Sequence, residues 1–200
     1  MRRGPIPGGT GAVRPLRTYG DPVLHAPSRE VTPADRPLAG LVEDMFATMY
    51  AARGVGLAAC QIGVPLRVFV YDCPDDEDRR HRGHVINPRL VSTGGVTVRG
   101  PEGCLSLPGL EAPTPRADLA VIEGEDLHGS PVSVEGEGFF ARCLQHEFDH
   151  LDGGLYTDRL SGLRRRRTLR AVRRAAWSGP LPAEPGSALL QDAPAIPPRG

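Results

Sequence analysis

The segment QHEFDH, residues 145–150, places two histidines four residues apart and a glutamate directly after the first. In a helix with about 3.6 residues per turn, His146 and His150 lie one turn apart on the same face, so both imidazoles can bind one metal ion. Glu147 is rotated by about 100° from His146, and its carboxylate can reach a metal-bound water whose pKa the metal lowers. The spacing predicts a metal centre at which Glu147 takes the proton of a metal-bound water.

The third metal ligand must come from another part of the chain. The protease pattern His-x-x-Gly-x-x-His fails because Tyr156 stands where the third histidine would be. Cys143 lies on the same helical face but a full turn before His146, and it remains a weaker alternative. Cys104 lies in GPEGCLSLPG, residues 100–109, whose glycines and prolines predict a rigid loop. We favour Cys104, because two histidines and one cysteine leave an open position, as catalytic sites do.

Composition and charge exclude several classes of protein. The chain has 24 basic and 24 acidic residues, which argues against a protein that coats DNA or an anionic membrane. The four cysteines are irregularly spaced, which argues against a disulfide framework. No run of 18 apolar residues predicts a membrane span, and no apolar segment follows the arginines near the start. We expect a cytoplasmic protein with neither a membrane nor a DNA partner.

Apolar periodicity predicts the elements that position these residues. Helices are expected at 38–54, 139–153 and 159–177, and strands at 66–72, 84–92, 96–100 and, as a hairpin, across 117–138. The triplet TGG is expected to turn the chain between the strands at 84–92 and 96–100, and residues 73–84 to form a mobile loop. The pattern favours an α+β fold, with antiparallel or mixed β-sheets around a central metal-binding helix.

The two ends differ from the middle of the chain. Residues 1–14 are predicted to be a disordered N-terminal extension and residues 178–200 a flexible tail rich in Pro and Ala. The catalytic domain is then residues 15–177, and it ends in the basic helix. Its arginines fit either a solvated face or a local RNA-binding surface. The apolar stripe expected to dock this helix consists of Leu160, Leu163, Leu169 and Val172.

Three segments resemble, in order, the three motifs of the peptide deformylase family. They are GVGLAACQIG (54–63), EGCLSLPG (102–109) and QHEFDHLDG (145–153). YGDPVLHAPSREV (19–31) is also similar to the N-terminal segment of that family. The resemblance implies a metal-dependent hydrolase that removes the formyl group from the N-terminal formyl-methionine of newly made bacterial proteins, so formyl-methionyl nascent peptides are the expected partners.

The resemblance also implies roles for individual residues. The matches to the metal ligands are Cys104, His146 and His150, and Glu147 matches the general acid and base. Gln61 and the backbone N–H of Leu105 match the donors that hold the oxyanion. The matches to substrate-binding positions are Gly56, which contacts the peptide backbone, and Val55 and Cys143, which line the methionine pocket. The expected metal is Fe(II), and Zn, Ni or Co can substitute for it.

One departure from the family leaves alternatives open. Most members have Pro before the glutamine of the first motif, whereas this chain has Cys60. Losing Pro frees φ and adds an N–H group beside Gln61, so activity could fall, or Cys60 could be an oxidation site. We favour the simpler interpretation that one small residue replaces another. The alternatives are a deformylase-like hydrolase with weak activity or an altered substrate, and a non-catalytic ribosome-associated metal-binding module. Some deformylases use a C-terminal helix on the ribosome, so a ribosome or RNA contact through residues 159–177 is also considered.

Overall fold

An antiparallel five-stranded sheet carries the fold, in a computed structural model that describes residues 8–178. Its strands, each paired with the next, are β1 (Gly56–Ala58), β2 (Val68–Pro74), β3 (Arg80–Gly103), β4 (Glu111–Glu125) and β5 (Pro131–Glu137). The α-helices of the described residues are α1 (Ala39–Ala51), α2 (Gly138–Leu151) and α3 (Gly162–Arg174). The predicted α+β class is confirmed.

Strand β2 begins with three apolar residues and is buried on both of its faces. Val68 and Val70 belong to the core cluster that α1 fills with Met45. Phe69 points the other way, into the cluster beneath α2 that contains Leu144. Side chains of a strand alternate between its faces, so β2 contributes to both cores. The sheet thereby separates the core under α1 from the core that supports α2.

Strand β3 is one strand of 24 residues where the sequence predicted two. The prediction of a turn at TGG was wrong. The chain continues instead, and its pairing with β4 shifts register between Gly94 and Thr97, with Gly95 at φ 69°. A bulge uses the same glycine conformation as a turn but does not reverse the chain. The long β3–β4 pair is what brings Cys104 back towards α2.

The predicted mobile loop at residues 73–84 is mostly strand, so this prediction was also wrong. Only residues 75–79 connect β2 to β3. The Asp75 carboxylate closes this connection by accepting hydrogen bonds from the backbone N–H and the guanidinium Nε of Arg79 at 2.9 and 2.8 Å. The polar residues that predicted a loop therefore lie in a tight turn and at the start of β3.

Helix α2 follows the predicted register and carries QHEFDH through the middle of the protein. Phe140 and Leu144 pack on the sheet, and the chain leaves the helix through Gly153 at φ 77°. A Cβ atom at Gly153 would lie 2.9 Å from the backbone carbonyl carbon of Ala26, so both conformation and space require glycine there.

The N-terminal segment differs from the predicted disorder over residues 8–14. Its backbone follows α1, where the N–H of Gly8 donates to Glu43 and the N–H of Ala12 donates to Asp44, both at 2.8 Å. These acceptors are more than 30 residues away along the chain, so the local composition gave no sign of them. The rest of the predicted extension and all but the first residue of the predicted tail lie outside the described residues.

Helix α3 docks through fewer apolar residues than predicted. Leu160 and Val172 are buried in a cluster with Leu107, but Leu163 is 69% exposed. The predicted stripe was wrong at Leu163 because α3 begins at Gly162, and its first turn faces outward; Thr168 is buried instead. Neither α3 nor any other helix of residues 8–178 has the length and apolarity needed to cross a membrane.

Candidate metal centre

Three side chains meet between α2 and the turn that joins β3 to β4. His146 and His150 project from α2, and Cys104 directly follows β3. The Nε2 atom of His150 lies 3.2 Å from Cys104 Sγ and 3.2 Å from His146 Nε2, and the three donor atoms all lie within 4.8 Å of one another. Cys143, the alternative third ligand, is outside this cluster.

The spacing and chemistry of these donors fit one metal ion. Two nitrogen ligands at about 2.0–2.1 Å from a tetrahedral ion lie ~3.3 Å apart. The two histidine nitrogens here are 3.2 Å apart. Burial lowers the pKa of His150 well below its ordinary value, which keeps the ring neutral and its lone pair available. One sulfur and two nitrogen donors suit a divalent transition metal and leave one tetrahedral position open.

Glu102 fixes the orientation of His146. Its carboxylate lies 2.7 Å from His146 Nδ1. An ionised carboxylate can only accept, so Nδ1 donates and the lone pair of Nε2 faces the other two donors. Burial would raise the pKa of Glu102, but hydrogen bonds from His146 and Arg116 outweigh burial and hold that pKa well below its usual range.

Buried arginines hold Glu102 in turn. Arg116 on β4 donates to its two oxygens at 3.0 and 2.5 Å, and Arg142 on α2 donates at 2.9 Å. Asp149 accepts hydrogen bonds from Arg116 at 2.6 Å and from Arg159 at 2.5 Å. This charge network joins β3, β4, α2 and the segment after α2. The sequence reasoning missed it, because nothing local marks these residues as partners.

Gln61 lies beside Cys104 because the short 3₁₀-helix Ala59–Ile62 follows β1 directly. Its Oε1 accepts a hydrogen bond from the backbone N–H of Ala58 at 2.9 Å. Its Nε2 lies 3.6 Å from Cys104 Sγ and 3.2 Å from Ser106 Oγ. Because an N–H donor holds the oxygen end, the NH₂ end of the amide must face the metal centre.

Leu105 occupies the turn between the proposed thiol ligand and Ser106. The turn is closed by the N–H of Leu107, which donates to the carbonyl of Cys104 at 2.9 Å. A Cβ atom at Gly54 would lie 2.7 Å from Leu105 Cδ1, so the first motif packs directly on the second. The first motif thus places Gln61 beside Cys104, and the second motif places Leu105 directly after it.

Glu147 lies against Gly56 of β1. It is 4% exposed, and its Oε2 has no hydrogen-bond partner among residues 8–178. Burial raises the pKa of Glu147 to about 7, so the carboxylate can take and return a proton near neutral pH. A Cβ atom at Gly56 would lie 2.8 Å from Glu147 Cδ, so a side chain there would displace the carboxylate.

Val55 and Cys143 are neighbours at the edge of the sheet. Cys143 Sγ lies 3.6 Å from the carbonyl oxygen of Val55, and both side chains pack in the cluster beneath α2. Within the described sheet β1 pairs only with β2, so its other edge is open beside Gly56. These three residues thus flank one free strand edge.

Cys60, the departure from the family pattern, is fully buried. Its S–H donates to the carbonyl of His150 at 3.5 Å, a contact that joins the Gln61 segment to the end of α2. Burial, with a further contribution from Glu147, raises the pKa of the Cys60 thiol to about 12. Because the thiolate is the reactive form, this environment disfavours the interpretation of Cys60 as an oxidation site.

The chain is similar in sequence and in fold to proteins of one family. The family model for Polypeptide deformylase matches residues 13–166. The chain belongs to the peptide deformylase family. Peptide deformylase 2 of Streptomyces avermitilis is 68% identical over 185 residues, which cover 92% of this chain and 100% of that protein. The resemblance carried by the three motifs is thereby confirmed.

Solved deformylases have the same fold. The Thermus thermophilus enzyme is 44% identical with a TM-score of 0.72, covering 81% of this chain and 94% of that one. A class I type b enzyme of Acinetobacter baumannii with Met-Ala-Ser bound is 30% identical with a TM-score of 0.69, covering 74% and 99%. The chain is therefore a metal-dependent hydrolase that removes the formyl group from N-terminal formyl-methionine. Neither the weak-activity nor the non-catalytic alternative is favoured.

The close approach of Gly56 to Glu147 gives a first testable expectation. Gly56→Ala should lower kcat for formate release by about 10–10², because the added methyl group displaces the carboxylate. Gly94→Ala is the matched control on β3, since a Cβ atom there meets Leu119 no closer than 3.8 Å. Equal activity of the two variants in a formate assay would contradict the fit of Glu147 against this glycine.

The burial of Cys60 gives a second expectation. Iodoacetamide should leave Cys60 and Cys73 unmodified in the folded, metal-loaded protein, and it should modify both in urea, because each thiol is buried. Ser133→Cys provides an exposed thiol that must react in the folded state. Peptide mass mapping is the measurement, and modification of folded Cys60 as fast as the introduced cysteine would overturn the expectation.

Proposed function

We propose that the enzyme releases formate at the centre formed by Cys104, His146 and His150, with Glu147 as the group that moves the proton. One observation carries this proposal: three donor atoms converge within 4.8 Å of one another, beside a buried carboxylate oxygen that has no partner among the described residues. When bound, the metal lowers the pKa of a water molecule and polarises the formyl oxygen.

Glu147 takes the proton from water and delivers it to the leaving amine. Its carboxylate is free to do so because it lies outside the three-donor cluster and makes no competing hydrogen bond through Oε2 to any described residue. General acid–base catalysis of this type contributes typically about 10²–10⁴ in rate, most effectively when the pKa lies near the working pH.

The NH₂ group of Gln61 and the backbone N–H of Leu105 stabilise the negative charge that develops on the formyl oxygen. Gln61 is supported in this role because its amide is held at the oxygen end by Ala58 and directed towards Cys104. Donors fixed before the reaction need no reorganisation when the charge appears, and losing one typically lowers kcat by about 10²–10³.

The open edge of β1 binds the formyl-methionyl nascent peptide as an added strand. Gly56 contributes backbone contacts, and Val55 and Cys143 line the pocket for the methionine side chain. Strand addition needs an unpaired edge, and within the described sheet β1 pairs only with β2. The tripeptide Met-Ala-Ser bound to the Acinetobacter baumannii relative has the sequence expected of a deformylated product.

Fe(II) is the metal that we assign to the enzyme in the cell, with Zn, Ni or Co able to substitute. A cysteine with two histidines binds all of these ions. The test is metal analysis and formate assay of protein purified anaerobically. One iron per chain, with activity that air abolishes and Fe(II) restores, is expected. One zinc per chain at full activity would contradict the assignment.

Helix α3 provides a contact with ribosomal RNA in the cytoplasm. Its exposed arginines are Arg164, Arg165, Arg166, Arg167, Arg170, Arg173 and Arg174. Among these seven arginines, only Arg165 forms an ion pair with a described residue, Asp158 at 3.7 Å, so most of the positive charge of α3 is available to phosphates. The chain as a whole has no net charge, so the positive charge on α3 is a local feature of this helix.

Co-sedimentation with ribosomes tests this contact. The double variant Arg166→Glu and Arg170→Glu should lose binding at low salt, while formate release from a free peptide stays unchanged. Arg89→Glu with Arg99→Glu changes the charge equally on exposed positions of β3 and should still bind. Equal co-sedimentation of the two double variants with ribosomes would contradict the proposed role of α3.

A further inference from the structure

Ser106 is a buried polar residue that contacts both the metal-ligand segment and Gln61. Its hydroxyl oxygen lies 3.2 Å from Gln61 Nε2, and its backbone N–H lies 3.4 Å from Cys104 Sγ. Its carbonyl accepts the N–H of Tyr19 at 2.9 Å, which ties the turn to the N-terminal segment. The side chain is fully buried, so the Gln61 contact is shielded from bulk solvent.

The orientation of the Gln61 amide is set at both ends. Ala58 holds the oxygen, which leaves two N–H groups on Nε2. The Ser106 hydroxyl accepts one of them, and the second then points towards Cys104 Sγ at 3.6 Å. The terminal torsion of a glutamine has a broad energy minimum, so the side chain alone does not fix this plane.

We infer that Ser106 is a positioning residue for deformylation, which acts by holding the carboxamide plane of Gln61 so that one N–H faces the reacting formyl oxygen. This inference rests on the proposed oxyanion role of Gln61. Ser106 touches neither the substrate nor the reacting atoms, and its effect on the rate passes through Gln61. Its backbone N–H also supports the Cys104 sulfur, but a side-chain substitution leaves that contact in place.

A double-mutant cycle separates positioning from simple packing. Ser106→Ala should lower kcat for a formyl-Met peptide by about tenfold, as expected for one lost hydrogen bond. KM and metal content should match those of the exposed control Ser133→Ala, whereas the thermal unfolding midpoint should fall, because a buried N–H of Gln61 loses its acceptor. Gln61→Ala should lower kcat by about 10²–10³. With Gln61 already replaced, Ser106→Ala should have no further effect.

Two kinetic outcomes would contradict different parts of this inference. If Ser106→Ala lowers kcat by the same factor in both backgrounds, Ser106 does not act through Gln61 and the inference is overturned. If Gln61→Ala retains full activity, the oxyanion role of Gln61 fails, and the inference fails with it. Ser106→Cys keeps a side chain of the same shape with a weaker acceptor and should give an intermediate kcat. This second variant keeps the inference testable if the alanine variant folds poorly.

A direct readout of the amide does not depend on turnover. In the zinc-loaded protein, the two side-chain N–H signals of Gln61 can be assigned in a ¹H–¹⁵N spectrum by their disappearance in Gln61→Ala. The hydrogen-bonded proton should move upfield and exchange faster with solvent in Ser106→Ala. Unchanged Gln61 signals in that variant would overturn the inference whatever the kinetics give.

Discussion

Glu147→Ala is expected to lower kcat for formate release by about 10²–10⁴ while the protein still binds one metal ion per chain. The loss follows because Glu147 is the buried carboxylate that contacts the edge strand at Gly56 and has an oxygen without a partner among the described residues. Metal binding should survive because Glu147 lies outside the cluster of Cys104, His146 and His150. Formate assay and metal analysis on the same sample give both numbers.

Glu147→Gln sharpens this experiment, since it keeps the shape of the side chain and removes only the ability to take a proton. It should be about as inactive as the alanine variant. Glu135→Ala is the matched control, because Glu135 is an exposed carboxylate on β5. A metal-loaded Glu147→Gln enzyme with activity close to that of the control would show that another group moves the proton.

Glu102→Ala is expected to weaken both metal binding and folding. Removing the partner of His146 should lower metal affinity by about 10–100-fold, as loss of an outer-shell carboxylate typically does. It also leaves Arg116 and Arg142 buried without this counter-charge, which should reduce the free energy of unfolding by about 3–5 kcal/mol. Competition with a chelator measures the first effect, and urea unfolding of the metal-free protein measures the second.

Glu102→Gln separates the two effects of this substitution. An amide oxygen can still accept from His146 Nδ1, so much of the metal affinity should return. Glutamine does not restore the negative charge beside Arg116 and Arg142, so the loss of stability should persist. If Glu102→Ala retains its metal against the chelator as well as the exposed variant Glu135→Ala does, Glu102 does not orient His146.

The parts of the metal centre that the sequence predicted are those with a local signal. The register of α2 follows from helical period, so the pairing of His146 with His150 and the separate direction of Glu147 could be deduced before the fold was known. Cys104 was favoured because alternative ligands failed on spacing. Gly56, Val55 and Gln61 entered through resemblance alone, and the structure gathers them beside the same ligands through β1 and the short helix that follows it.

The parts that the sequence did not predict depend on contacts between distant segments. Glu102 is 14 residues from Arg116 and 40 residues from Arg142 along the chain, and only the pairing of β3 with β4 and the packing of α2 bring them together. The glycines at 94 and 95 gave a turn signal, but continued strand pairing made them a bulge. Local propensity was overridden in each case by tertiary structure.

Formate release from formyl-Met-Ala-Ser is the measurement that tests the metal centre and its activity most directly. The full chain, loaded anaerobically with Fe(II), should release one formate for each free Met-Ala-Ser formed. It should leave acetyl-Met-Ala-Ser intact, and metal-stripped protein should release none. No formate from protein that holds one iron per chain, or equal release from the metal-stripped protein, would contradict deformylation at Cys104, His146 and His150.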